Sequence, residues 1–94
     1  MDIGTFRASL NHDRPPEGLG RPLLALWHEG KGDWDKAHAL AQAEDNATGA
    51  WVHAYLHRVE GDLENAGYWY GRADRPRSAA SLAAEWEEIA TALL

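Results

Sequence analysis

An internal repeat with an offset of 29 residues is the feature that most constrains the fold. The segment ALWHEGKGDWDKA at 25–37 aligns with AYLHRVEGDLENA at 54–66, so that Gly32-Asp33 matches Gly61-Asp62. Glycine ends helices readily, and an aspartate after it can cap the next helix. Each copy therefore predicts a helix, a tight turn and a second helix. Because one such hairpin cannot bury its apolar faces alone, we expect the two to stack.

The apolar periodicity extends this pattern into about five helices. One hairpin is predicted over 22–45 and a second over 47–74, and a final helix over 78–94 is expected to cap the end of the stack, opening at Ser78. Its charged residues are expected to face solvent, whereas its apolar residues recur with helical period. The charged set is Glu85, Glu87 and Glu88, and the apolar set is Leu82, Trp86, Ile89, Ala90 and Leu93. No segment alternates with period two, which favours an all-α protein.

The first 19 residues lack a sustained period and contain Pro15 and Pro16. They predict an extended N-terminal arm over 1–19, anchored by a few apolar side chains, and one helical domain over 20–94. The anchoring side chains are Ile3, Phe6 and Leu10. A chain of 94 residues has room for a single core, to which its five tryptophans should contribute.

The composition excludes several classes of function. There is no cysteine, which rules out disulfides, thiolate metal sites and cysteine nucleophiles. The net charge of −6 disfavours nucleic acid and anionic membranes as partners. No apolar run is long enough for a membrane span, and no signal-peptide pattern opens the chain. We therefore expect a soluble cytoplasmic protein with no cofactor.

The second copy resembles the tetratricopeptide repeat, because Ala54, Gly61-Asp62, Ala66, Tyr70 and Ala73 stand at the spacings of that family's small and aromatic positions. The first copy departs from the pattern, with Ala41 where an aromatic residue is usual, and the offset is shorter than the family's repeat of about 34 residues. The resemblance covers about 22–74. It implies stacked hairpins whose first helices line an inner groove, and here these helices would offer Leu26, Glu29, Trp51, Tyr55 and Arg58.

The segment HAYLHRVEGDLENAGYWYGRA also resembles part of short bacterial proteins of unknown function. That resemblance implies no activity.

Two histidines four residues apart, His53 and His57, share one face of the third predicted helix with Glu60. Two imidazoles and a carboxylate can bind Zn²⁺, with His28 as a possible neighbour if the hairpins stack. The general base of the HExxH pattern is missing, because Ala54 stands in its place. Packing between helices is the simpler interpretation. From the sequence alone, the helix face that carries His53, His57 and Glu60 can be either buried between helices or exposed to solvent.

Tryptophan, tyrosine and arginine dominate many binding surfaces. The candidate binding residues are Trp51, Tyr55 and Arg58 on the third predicted helix, and Asn65, Tyr68 and Arg72 on the polar side of the fourth. The favoured function is a non-enzymatic module that binds a protein or peptide or associates with itself. The alternative is a small metal-binding protein or metal-dependent hydrolase that uses His53, His57 and Glu60.

Overall fold

The computed structural model describes residues 1–94, which form helices and no strands. The α-helices are α1 (Ile3–Ala8), α2 (Arg21–Gly30), α3 (Trp34–Ala43), α4 (Ala47–Val59), α5 (Leu63–Arg72) and α6 (Leu82–Leu93), and a short 3₁₀ helix at Ser9–Asn11 follows α1. The prediction of an all-α fold is confirmed, with one helix more than expected. No helix has the length and apolar character needed to cross a bilayer.

The two Gly-Asp turns have the same geometry, as the repeat predicts. Gly32 and Gly61 adopt φ values of 86° and 85°, in the left-handed region that glycine tolerates. Asp33 accepts a hydrogen bond from the Lys36 amide at 3.1 Å. Asp62 accepts one from the Asn65 amide at 3.2 Å, at the corresponding position. Each aspartate therefore satisfies a free N–H group at the start of a helix, which fixes the beginnings of α3 and α5.

The helices pack as two antiparallel pairs around a common core. Helix α2 packs against α3, α4 packs against α5, and the pairs meet where α4 contacts both α2 and α3. Between the pairs, the Trp34 indole N–H donates to the Leu56 carbonyl at 2.7 Å. The equivalent of Trp34 in the second copy is Leu63, which is 61% exposed. No further helix covers that side of α5.

The prediction of an extended arm over 1–19 is wrong for its first part, which is helical. The Asp2 carboxylate caps α1 by accepting from the Thr5 amide at 2.7 Å. Phe6 is fully buried and stacks on Trp86, with ring centroids 5.5 Å apart. The prolines that suggested an arm lie beyond these elements, at 15 and 16. A good cap and one deeply buried ring are therefore enough to form a helix here.

The final helix begins at Leu82, so the prediction of a helix from Ser78 is wrong by four residues. Ser81 is the cap, and its hydroxyl accepts from the Ala84 amide at 3.1 Å. Ser78 instead accepts from the Ala80 amide in a local turn. The Arg58 guanidinium binds the Ala80 carbonyl at 2.7 Å. This bond holds the carbonyl outside any helical hydrogen-bond pattern.

Helix α6 does not extend the stack beyond α5 as a terminal cap. It packs against α4, α2 and α1 instead. Its Trp86 indole N–H donates to the Leu26 carbonyl of α2 at 3.0 Å. Ile89 and Ala90 are fully buried on the same side. The helix therefore covers the face that the tetratricopeptide resemblance assigns to an open groove.

A buried carboxylate holds α6 in this position. Glu85 is 1% exposed, although its place among charged residues predicted a solvated side chain. One of its oxygens accepts from the Arg58 guanidinium at 2.6 Å, and the other accepts from the Tyr70 hydroxyl at 2.6 Å. Burial and then this bond to Glu85 raise the pKa of Tyr70, so its hydroxyl is a neutral donor. Glu85 thereby joins α6 to both helices of the second hairpin.

Replacing Glu85 by alanine should strongly destabilise the fold. The change leaves the half-buried Arg58 without its carboxylate and Tyr70 without its acceptor. Breaking a buried pair in this way costs about 3–5 kcal/mol. Chemical denaturation, followed by circular dichroism, measures the free energy of unfolding.

The matched control is Glu87→Ala on the same helix. Glu87 pairs with Arg7 at 3.0 Å, but both side chains are 51% exposed. Such a surface pair contributes about 0–1 kcal/mol. Equal losses in the two variants would contradict the role given to Glu85.

Candidate functional site

The prediction that Trp51, Tyr55 and Arg58 line an open groove is wrong in its placement of these residues. Trp51 and Tyr55 are 5% and 3% exposed. The Arg75 guanidinium lies over the Trp51 ring, 3.4 Å from its centroid. Arg58 is engaged by Glu85. As binding residues they stay a prediction, and a partner can reach the two aromatic rings only if the covering segments move.

A carboxylate faces the buried end of Tyr55. The Tyr55 hydroxyl donates to Glu29 at 3.3 Å. Burial raises the pKa of both groups, and the nearby carboxylate raises that of Tyr55 further. The pair adjoins a surface depression between α2 and α6. The hydrogen bond between Tyr55 and Glu29 links α4 to α2 and helps to close this face of the protein.

The polar side of α5 is open, as the sequence predicts. Asn65, Tyr68 and Arg72 are exposed. The Arg72 guanidinium donates to the Tyr68 hydroxyl at 3.0 Å and lies 5.4 Å from the centroid of the Trp69 ring. Leu63 lies on the same helix but on a different side, since five residues at 3.6 per turn separate it from Tyr68 by about 140° around the axis. We refer to Asn65, Tyr68 and Arg72 as the α5 surface.

Three histidines meet between α3 and α4. His38 of α3 contacts His53 of α4 through their Nε2 atoms, which lie 3.0 Å apart. The His57 ring lies 4.9 Å from His53 and 5.4 Å from His38, measured between centroids. One ring nitrogen from each of the three lies within 4.8 Å of the others. We refer to His38, His53 and His57 as the histidine cluster.

Two tryptophans hold the rings of the cluster. Trp34 stacks on His38 with centroids 4.8 Å apart, and Trp69 stacks on His53 at 3.8 Å, each at an angle of 13° between planes. Trp69 is thus only partly buried, and its ring covers a histidine. The two stacks restrict the rotation of the His38 and His53 rings, and His53 is the more deeply buried of the two.

The remaining candidates for metal binding have different positions. His57 Nδ1 lies 2.7 Å from Glu60, so the carboxylate holds the imidazole rather than standing beside it as an independent ligand. His28 is absent from the cluster and packs edge-on against Trp27, with centroids 5.1 Å apart. The expectation that His28 approaches His57 is wrong, because α3 is the helix that faces the histidines of α4.

The environment of the cluster favours the uncharged forms of His38 and His53. His53 and His57 are 3% and 5% exposed, and His38 is half-buried. Burial first, and then the neighbouring imidazoles, lower the pKa of His53 to about 4. Burial and His57 lower the pKa of His38 as well. At neutral pH these two rings therefore carry lone pairs that can accept a hydrogen bond or bind a metal ion.

His38 is the member of the cluster that the sequence analysis missed. Its signal was present in the spacing Trp34–His38, four residues apart on α3, which repeats the spacing of His53 and His57 on α4. Both pairs project from helices that the repeat places side by side. Recognising the contact required the relative rotation of α3 and α4, which a hydrophobic pattern does not specify.

Comparison with known proteins returns no protein-family model, no curated protein and no solved structure that matches this chain. Function has to be inferred from the side chains themselves.

The stability of the fold should decrease as pH falls from about 6.5 toward 4. His53 has a lowered pKa in the folded state, so in this window the unfolded chain binds a proton that the folded chain excludes. The resulting loss has an upper limit of about 3 kcal/mol, since one pKa unit corresponds to about 1.4 kcal/mol. Protonated His53 would face the imidazoles of His38 and His57 and, beyond them, the carboxylate of Glu60.

Urea denaturation at pH 7 and pH 5, with a chelator present, measures this loss. His53→Gln should reduce the difference between the two pH values, because the titrating group is gone. His12→Gln is the control, since His12 is an exposed histidine outside the cluster. An unchanged pH dependence in His53→Gln would contradict the assignment.

Proposed function

We propose that this chain is a small helical-repeat protein that binds a segment of another protein through the α5 surface. We further propose that its fold is built from two tetratricopeptide-like hairpins. In support, both Gly-Asp turns share one geometry and the two helix pairs are adjacent. The cytoplasm suits a chain without cysteine, and the net charge of −6 disfavours nucleic acid as the partner.

One observation carries this proposal. Tyr68 is 56% exposed on α5, and the exposed Arg72 lies beside it with its guanidinium bonded to the Tyr68 hydroxyl. Tyrosine and arginine are enriched in protein interfaces and contribute most of the binding energy in many of them. Both side chains are therefore open to a partner on the polar side of α5.

The side chains of the α5 surface indicate the chemistry of the partner segment. The Tyr68 ring offers apolar area, and Asn65 offers an amide. The Arg72 guanidinium is held by a single neutral hydroxyl and has no carboxylate partner. A guanidinium prefers a carboxylate, which it binds through two parallel hydrogen bonds. The segment should therefore carry an apolar side chain next to an acidic one.

Selection from a displayed library of random peptides tests this function. Peptides recovered on the wild-type chain should pair apolar with acidic residues. Their affinities, measured by fluorescence anisotropy, should fall by roughly tenfold in Arg72→Ala and in Tyr68→Ala, as for loss of a charge-assisted bond or an aromatic anchor. Arg14→Ala and Leu82→Ala are the controls for charge and exposed apolar area, and both should leave binding unchanged.

Binding that is equally strong in Arg72→Ala, Tyr68→Ala and the controls would overturn the proposal. Sedimentation equilibrium distinguishes a peptide partner from self-association. A dimer that Tyr68→Ala dissociates would make a second copy of the chain the partner of the same surface.

A further inference from the structure

We propose that the histidine cluster is a binding site for one borderline divalent transition-metal ion, with Zn²⁺ as its representative. His38, His53 and His57 would supply three neutral imidazole nitrogens. Glu60 would act as a positioning residue through His57. This inference is independent of the α5 surface and of any protein partner.

Convergence of three imidazoles is the first reason. Neutral imidazole is the common nitrogen ligand of Zn²⁺, and three protein ligands with one open position are typical of sites that accept an exchangeable fourth ligand. A tetrahedral ion with Zn–N distances of about 2.05 Å separates its nitrogens by about 3.3 Å. The two Nε2 atoms of His38 and His53 are 3.0 Å apart. This pair is already close to the separation that an ion requires.

The third nitrogen has to move only a short way. One ring nitrogen from each histidine lies within 4.8 Å of the others, so no separation exceeds the tetrahedral value by more than about 1.5 Å. His38 is half-buried, so its side chain has room to adjust, whereas His53 is fixed by Trp69. His53 also lines a cavity of about 240 Å³, together with Trp69 and Arg72.

Glu60 defines which nitrogen of His57 faces the ion. A carboxylate only accepts hydrogen bonds, so the neutral His57 ring carries its proton on Nδ1, where Glu60 accepts it at 2.7 Å. The lone pair is consequently on Nε2. A carboxylate that binds the outer nitrogen of a metal-ligating histidine orients the ring and increases its basicity. Glu60 therefore fits this role better than that of a ligand.

The hydrogen bonding of His53 gives a further reason. Its Nε2 is partnered within the chain by His38 Nε2 alone. In the neutral pair one of these nitrogens donates a proton to the other. Binding of an ion between them requires that donor to move its proton to Nδ1, which leaves both Nε2 lone pairs free. No net proton is released, because both rings are neutral before and after.

A second group of potential ligands is weaker. His57, Glu60 and Asp62 are also close together, but Asp62 already accepts from the Asn65 amide as the cap of α5. Glu60 and Asp62 are exposed, whereas two of the three histidines in the cluster are buried. The cluster therefore offers the more enclosed site, and His38 distinguishes the two groups experimentally.

Titration calorimetry of the untagged protein with Zn²⁺, after treatment with a chelator, is the test. The wild type should bind one ion per chain. His38→Ala should weaken binding at least tenfold, because it removes a ligand from the half-buried position. Glu60→Gln keeps an acceptor for His57 Nδ1 but removes the charge, and should weaken binding by about tenfold, at the low end of such effects. His28→Ala and His12→Ala should bind as the wild type does.

Two further readouts separate coordination from a structural role. Co²⁺ in the site should show the visible absorption of a tetrahedral ion, which His38→Ala should abolish. Ni²⁺ should quench part of the tryptophan fluorescence, since Trp34 and Trp69 stack on two of the ligands. If His38→Ala fails to fold by circular dichroism, His38→Gln, which is closer in size and polar, takes its place in each measurement.

Lack of Zn²⁺ uptake by the wild type would overturn the inference. It would also be overturned by uptake that persists in the folded His38 variant, which would place the ion at the Glu60 and Asp62 group or elsewhere on the surface. Neither outcome affects the proposed peptide-binding function, whose variants lie on α5.

Discussion

The buried carboxylate of Glu85 is the interaction on which the arrangement of this protein depends. A carboxylate at 1% exposure is unfavourable unless charged and polar partners surround it. Those partners, Arg58 and Tyr70, come from different helices and meet only when α4 and α5 are paired. Glu85 can therefore be buried only in the completed hairpin. Once buried, it holds α6 across α4, where Trp86 reaches α2 and Phe6 reaches Trp86.

The position of α6 decides which surfaces remain for function. Trp51 and Tyr55 have the residue types of binding anchors, but in the folded chain they contribute to its own core. The candidate sites that remain lie on other sides of the hairpins. One is the exposed side of α5 with Asn65, Tyr68 and Arg72. The other is the mostly buried junction of α3 and α4, where stacking of the hairpins brings His38 against His53.

Local signals in the sequence were sufficient for the turns and the helix pairs. Gly32-Asp33 and Gly61-Asp62 specify left-handed glycines followed by caps, and neither depends on distant residues. The failures all involve distant contacts. Helix α1 depends on burial of Phe6 against Trp86, and Glu85 is buried because Arg58 and Tyr70 satisfy it. A pattern that treats every glutamate as solvated cannot detect such a network.

For the candidate sites, too, local signals in the sequence were sufficient, whereas contacts between distant residues could not be predicted. Asn65, Tyr68 and Arg72 were placed correctly on an exposed face, because α5 is strongly amphipathic and its period is enough to assign its faces. Packing of His53 and His57 between helices was the simpler interpretation, but the sequence left their burial open, and the structure places both in the interior. The sequence could not show whether His28 or His38 joins His53 and His57, since that depends on the rotation of α3 against α4.

Closure of the inner face by α6 is the central claim, and hydrogen exchange of the Trp86 indole tests it most directly. In the structure this N–H is buried and donates to the Leu26 carbonyl. By NMR it should exchange as slowly as the most protected core amides, and its ring should show proton contacts to Phe6. Rapid exchange, at the rate of an exposed indole, together with the absence of contacts to Phe6, would show that α6 does not occupy the groove.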